Sequence, residues 1–397
     1  MDALTTPSNW QKVRLGDIAE IIGGGTPSTQ ITSFWNGSIN WFTPTEIGIT
    51  KYVYKSQRTI TPLGLKKSSA KLLPIGTILL TSRASIGDCA ILKEIATTNQ
   101  GFQSLIPLEK INNEFLYYLI LTLKNKLLKL ASGSTFLEVS PNKIKNLLIP
   151  LPSLNEQIAI ANILSDVDRY LYNLDALILK KESVKKALSF ELLSQRKRLK
   201  GFNQNWQRVR LGDICEIGNG GAYETLIVEN GDFKLISLNS IDIDGNLKNT
   251  MKRVNFYDNS LKQDDIVMVL SDVAHGDFLG LCAVIPSNDY VLNQRMGRLR
   301  KRNDCINILF LRLYLNANQK YFKMQGQGSS QLNLSKKAIE DFEIPLPPLN
   351  EQIAIANILS ALDHEITSLK NKKRQFENIK KALNHDLMSA KIRVLKK

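Results

Sequence analysis

Ser271, Asp272 and His275, in the stretch SDVAHGD, are the residue types of a nucleophile relay gathered within five positions. Such a relay is a matter of geometry, and its members rarely lie so close in sequence. The stretch reads instead as a polar turn. Gly23–Gly25 lacks the lysine of a phosphate loop, and GQGSSQ (Gly326–Gln331) lacks the third glycine of a dinucleotide turn. Both read as flexible turns. The three histidines (His275, His364, His385) form no ligand cluster. The four cysteines (Cys89, Cys215, Cys282, Cys305) lie far apart with no CxxC pair, which argues against a zinc module and a disulfide framework. No FxGxG or NPP[YF] pattern occurs, so the chain is expected neither to bind S-adenosylmethionine nor to methylate a base. What the residues suggest is binding.

Were the ligand a nucleic acid, bidentate base contacts would favour arginine on guanine and asparagine or glutamine on adenine, with serine and threonine helping at phosphates and base edges. Polar turns in the first part of the chain offer Thr26, Ser28, Thr43, Ser82, Arg83, Ser85, Asn99, Gln100, Ser134 and Thr135. The later part offers Ser237, Asn239, Ser271, Asp272, His275, Asn293, Gln294, Arg295, Gln327, Ser329 and Ser330. Arg298, Arg300 and Arg302 share one face if their run is a strand, a basic stripe suited to phosphates. For any single one of these, a solvated turn is the competing reading.

The elements that would position such turns are short apolar runs, among them Gly76–Leu80 and Asp265–Leu270, which read as strands. Helices are expected at Asn113–Leu130 and Ile306–Asn318. Both variable parts are therefore mixed α/β.

Two other parts of the chain are nearly constant. IPLPSLNEQIAIANILSDVD (149–168) returns as IPLPPLNEQIAIANILSALD (344–363), with seventeen of twenty positions matching at an offset of 195. NWQKVRLGDIAEI (9–21) returns as NWQRVRLGDICEI (205–217), and KALSFELLS (186–194) as KALNHDLMS (381–389). The unit is half the chain, and its pattern is variable, constant, variable, constant. After Pro152 neither proline nor glycine occurs until Gly201, and after Pro348 neither occurs again. Each segment can therefore run as a helix of roughly 45 residues, about 65 Å. Apolar residues at Ile160, Leu164, Val167, Leu171, Leu174, Ile178, Leu188 and Leu192 alternate steps of four and three, as a heptad seam requires. Ile355, Leu359, Leu362, Ile366, Leu369, Leu383 and Leu387 repeat it. The seam falters at Lys181, Lys185, Lys373 and Lys380. Approximate twofold symmetry predicts an antiparallel coiled coil between the two copies.

The expected class is α+β: two mixed α/β domains, a pseudo-twofold internal repeat, and two long helices. The divisions are 1–150, first globular domain; 151–200, central helical region; 201–345, second globular domain; and 346–397, C-terminal helical region. The net charge of +15 invites a polyanion. By division it is +7, +3, 0 and +5, so the third can meet DNA only through local clusters. No apolar run approaches the ~20 residues of a membrane span. No signal peptide is seen, and the cysteine usage suits a reducing cytoplasm.

The arrangement resembles the specificity subunit of type I restriction-modification systems. The resemblance rests on IPLPPLNEQIAIANIL and its earlier twin, on KKALNHDLMSAKIRVLKK, and on the W-x-x-V-R-L-G-D-I-x-E-I starts at Trp10 and Trp206. It covers essentially the whole chain. It implies a non-catalytic subunit whose two domains each read half of a split double-stranded DNA target. It implies two modification subunits carrying S-adenosylmethionine, and restriction subunits carrying ATP and magnesium. The recurring polar residues Asn155, Glu156, Gln157 and Asn162, with Asn350, Glu351, Gln352 and Asn357, are then expected on the surface that meets the modification subunits. A recent duplication would explain the repeat too, but would leave the globular parts alike, and they differ. The competing readings are a self-contained methyltransferase and a coiled-coil scaffold with no DNA role.

Overall fold

A computed structural model of the chain describes residues 10–133, 137–273 and 276–394. Internal contacts divide it into two compact units, Met1–Ala176 with Asn371–Lys397, and Leu177–Lys370. Both boundaries fall inside long helices, Leu154–Leu193 and Leu349–Met388. Each unit therefore holds one α/β domain, the start of one helix and the end of the other. No helix of the described residues is long and apolar enough to cross a membrane.

In the first unit a five-stranded sheet runs in the order Ala19–Gly23, Gln103–Pro107, Ile78–Leu80, Cys89–Leu92, Tyr52–Val53. The strands Ile78–Leu80 and Cys89–Leu92 are buried along their whole length, as unbroken apolar runs require. A three-stranded sheet, Arg58–Ile60, Trp35–Phe42, Ala96–Thr98, stands beside it in the same domain. The helix Asn113–Leu130 has the predicted bounds. Asn112 starts it, its side chain accepting from the Phe115 N–H at 2.9 Å.

The second unit repeats this plan with different residues. Its four-stranded sheet runs Cys215–Asn219, Met296–Lys301, Ile266–Val269, Cys282–Val284, and its three-stranded sheet Arg253–Val254, Phe233–Ile236, Tyr290–Leu292. Asn307 caps the helix Ile308–Ala317 through the Phe310 N–H, also at 2.9 Å. A second short helix, Gln319–Gln325, follows beyond the limit of the expected one at Asn318.

A two-stranded antiparallel tie closes each domain. Gln11–Arg14 pairs with Leu148–Leu151, and Gln207–Arg210 with Glu343–Leu346. The chain thus enters and leaves each domain at one place. Pro152 and Pro347 then stop the strands, and the long helices begin.

Within each unit the two helix segments run antiparallel. Asp168 meets Lys380 and Asp175 meets Lys373 in the first unit; Lys181 meets Glu365 and Lys185 meets Asp363 in the second. These are the four lysines at which the apolar seam faltered, and each reaches a carboxylate on the facing helix. Around them Ile160, Leu164, Leu174 and Ile178 are buried, as are Ile355, Leu359 and Ile366. Burying a leucine in this way contributes about 1.5–3 kcal/mol, so the apolar positions supply the adhesion. The half-exposed ion pairs, worth about 0–1 kcal/mol each, mainly fix register.

Candidate nucleic-acid interface

Five separate polar turns of the first domain meet at one end of its sheets. Gly25 N–H donates to the Thr98 carbonyl at 2.8 Å, and Asn99 N–H to that of Phe42 at 3.0 Å. Ser82 N–H donates to Gly101 at 2.8 Å, and Val139 N–H returns to Ser82 at 3.1 Å. Side chains reinforce the cluster: Thr26 donates to Gln100, and Thr43 to Glu46 at 2.8 Å. The glycine run is needed for close approach rather than flexibility. A Cβ on Gly24 would stand 1.9 Å from the Asn99 carbonyl oxygen.

The second domain carries the same wiring. Gly221 N–H donates to Leu292 at 3.1 Å, Asn293 N–H to Ile236 at 3.0 Å, Leu270 N–H to Arg295 at 2.9 Å, and Leu334 N–H to Leu270 at 2.8 Å. A Cβ on Gly220 would stand 2.1 Å from the Asn293 carbonyl oxygen. Ser237, Asn239, Asn293, Gln294 and Arg295 line one cleft of about 140 Å³. Backbone geometry repeats while the side chains that line it change.

Several candidates are corrected by their surroundings. Ser82, Ser271, Asp272 and Asn293 are buried and brace the turns instead of facing outward. Ser82 Oγ donates to the Gly101 carbonyl at 3.2 Å, and Ser271 Oγ to Asn333 Oδ1 at 2.5 Å. Asp272 accepts from Phe278 N–H at 2.8 Å, and Asn293 Oδ1 from Tyr223 N–H at 3.1 Å. Arg83 is held by Glu138 at 2.8 Å. Arg298 and Arg300 lie on a strand as predicted, Met296–Lys301, with Arg302 just past its end, but the charges of the first two are neutralised. Arg298 pairs with Glu216 at 2.5 Å and Arg300 with Asp265 at 2.6 Å, while Arg302 donates to backbone carbonyls. Ser134, Thr135 and His275 lie outside the described residues. Thr26, Ser28, Thr43, Ser85, Asn99 and Gln100 remain partly or fully exposed in the first domain. So do Ser237, Asn239, Gln294, Arg295, Gln327, Ser329 and Ser330 in the second.

The largest correction concerns the repeated LNEQ. Glu156 and Gln157 are 2% and 1% exposed, Glu351 and Gln352 0%, so none of the four can face a partner. They bind their own unit to its helices. Glu156 accepts from Trp10 Nε1 at 3.1 Å and from Arg393 Nε at 2.9 Å. Glu351 accepts from Trp206 Nε1 at 3.0 Å and from Arg198 Nε at 3.0 Å and Nη2 at 2.5 Å. The carboxylate in turn raises the Arg198 pKa above its ordinary value. Gln157 accepts from Asn112 N–H at 2.8 Å and donates to the Lys110 and Pro152 carbonyls. Gln352 does the same with Asn307 at 2.8 Å, Cys305 and Pro347.

Each bracket thus joins a domain's first tryptophan, the start of one long helix and the segment just past the end of the other. Arg198 and Arg393 were missed in the sequence, although they too stand 195 apart. Asn155, Asn162, Asn350 and Asn357 are exposed, beside the exposed pairs Leu154/Leu349 and Ile158/Ile353.

The family model described as "Type I restriction modification DNA specificity domain" matches twice, over residues 7–181 and 203–378. The chain is 37% identical to the type I restriction enzyme MjaIX specificity subunit of Methanocaldococcus jannaschii over 54% of this chain and 53% of that one. It is likewise 37% identical to the EcoR124I/EcoR124II specificity subunit of Escherichia coli, over 39% and 40%. The match thus spans about half the first relative and less of the second. With the MjaVIII specificity subunit of M. jannaschii it is 28% identical over 99% and 95%. In fold it is similar to the S subunit of a type I restriction-modification system from M. genitalium, with TM-score 0.61 and 21% identity over 98% of each chain. The HsdS subunit from Thermoanaerobacter tengcongensis aligns at TM-score 0.53 and 18% identity, over 97% of this chain and 98% of that one. Matched by the family's domain in both halves, the chain belongs to the type I restriction-modification DNA specificity family.

Proposed function

We propose that the chain is the sequence-reading subunit of a type I restriction-modification complex and performs no catalysis itself. Each unit reads one half of a bipartite, asymmetric double-stranded DNA target through the turns at the tip of its sheets. The observation that carries this reading is the contrast between the two ends of each unit. The bracket of Trp10, Glu156, Gln157 and Arg393 is repeated residue for residue by Trp206, Glu351, Gln352 and Arg198, whereas the equivalently wired tips present different side chains. A protein that must hold one geometry and read two unlike sequences needs that division of labour.

In this reading two modification subunits, bringing S-adenosylmethionine, dock on the equivalent exposed faces around Asn155, Ile158 and Asn162 and around Asn350, Ile353 and Asn357. Restriction subunits bring ATP and magnesium, and the complex works in the cytoplasm. The paired helices set a spacer of fixed length and free sequence between the half-sites. Site selection from random duplexes by the chain assembled with its modification subunits is expected to return two unlike half-sites separated by such a spacer. Binding without sequence preference would contradict the reading, as would methylation, ATP hydrolysis or DNA cleavage by the purified chain alone.

A further inference from the structure

Among the described residues of the second unit, every arginine but one is engaged within the chain. Arg298 and Arg300 meet carboxylates, Arg302 and Arg312 meet backbone carbonyls, and Arg198 and Arg208 meet Glu351 and Glu343. The others are held by an aromatic ring, a carboxylate or a carbonyl. The exception is Arg295, whose exposed side chain has no partner among the described residues. Its backbone sits at φ +71°, a left-handed conformation that suits glycine and resists a longer side chain. The carbonyl of Arg295 is pinned there by the N–H groups of Leu270 at 2.9 Å and Ser271 at 3.3 Å. The turn's wiring thus fixes the backbone, and the guanidinium that this position holds out is left for a ligand.

What surrounds Arg295 points to the ligand. It lines the same cleft as Ser237, Asn239, Gln294 and Glu224. Guanine presents O6 and N7 side by side to a guanidinium fork in the major groove, and the N4 amine of its paired cytosine suits a carboxylate such as Glu224. Resting on the specificity reading above, we propose that Arg295 determines specificity in the second half-site by donating both arms of its fork to one guanine.

The test is site selection and competition binding by the full chain assembled with its modification subunits. Arg295→Ala, Arg295→Lys and Arg295→Gly are compared with the unaltered chain. Glycine relieves the backbone, so loss of recognition in that variant is not loss of folding. All three should relax one G·C position of the second half-site and weaken the selected duplex by roughly 10- to 100-fold, with the first half-site unchanged. Lysine keeps the charge but not the fork, so it should not rescue. Uniform weakening across sequences, restored by lysine, would make Arg295 a phosphate contact and overturn the assignment. An unchanged motif and affinity in all three variants would overturn it too, while leaving the specificity reading intact. If the unaltered chain selects no sequence at all, both fall.

Discussion

The indole N–H of Trp206 donates to Glu351 Oε2 at 3.0 Å across 145 residues of sequence. Trp10 and Glu156 stand in the same relationship at 3.1 Å. Because the carboxylates are buried, these are charge-assisted bonds shielded from water. Trp206→Phe keeps one aromatic ring and deletes the donor, and the lost hydrogen bond alone is expected to cost about 1.5–3 kcal/mol. Amide hydrogen exchange should show loosening in residues 201–345 with the first domain unaffected, and Trp10→Phe should do the converse. Equal loosening of both domains by either variant would contradict two separate brackets.

The proposed docking faces are tested at Ile158 and Ile353, which are exposed and equivalent. A carboxylate in the middle of an apolar contact is costly to desolvate. Ile158→Glu should lower the bound modification subunits from two to one by native mass measurement, Ile353→Glu should do likewise, and the double variant should bind none. Two subunits on the double variant would remove these faces from the interface.

The seam lysines are expected to specify rather than stabilise. Lys181 lies 2.8 Å from Glu365 and is partly exposed. Lys181→Ala should therefore change stability by less than about 1 kcal/mol. Lys181→Glu should lose more, and adding Glu365→Lys should restore most of that loss in a double-mutant cycle followed by urea unfolding. Failure of the swap to restore stability would show that the pair does not form.

Cysteine reactivity reads the fold independently. Cys305 is exposed, whereas Cys89, Cys215 and Cys282 are buried. Burial pushes the Cys215 thiol up to about 12, so almost none is thiolate at pH 8. Brief alkylation of the native chain should add one label, at Cys305, by peptide mass mapping. Labelling of Cys215 at a similar rate would mean that the second core is open.

The helices were legible in the sequence because proline and glycine bracket them and the apolar steps repeat, and Leu154–Leu193 and Leu349–Met388 follow those limits closely. Glu156 and Gln157 were misread because polar residues on a helix are usually solvated. Their burial depends on Trp10 and Arg393, which spacing along the helix cannot reveal. The signal that could have found them was shared recurrence: Trp10/Trp206, Glu156/Glu351 and Arg198/Arg393 repeat at nearly one offset. The arginine stripe failed for the same physical reason. Alternation placed Arg298 and Arg300 on one face correctly, but the carboxylates that neutralise them, Glu216 and Asp265, come from other segments. The polar turns were found as a set, and only their backbone wiring separates braces such as Asn293 from outward residues such as Gln294.

The measurement that bears most directly on two independent readers held by one repeated bracket is a domain exchange. Residues 201–345 are replaced by the equivalent domain of another family member, leaving Glu351 and Arg198 to receive the incoming tryptophan. Sites are then selected by the assembled complex. The account predicts that one half-site changes to the donor's while the other half-site and the spacer stay as they were. A change in both halves together, or selected sites that are contiguous or palindromic, would contradict it.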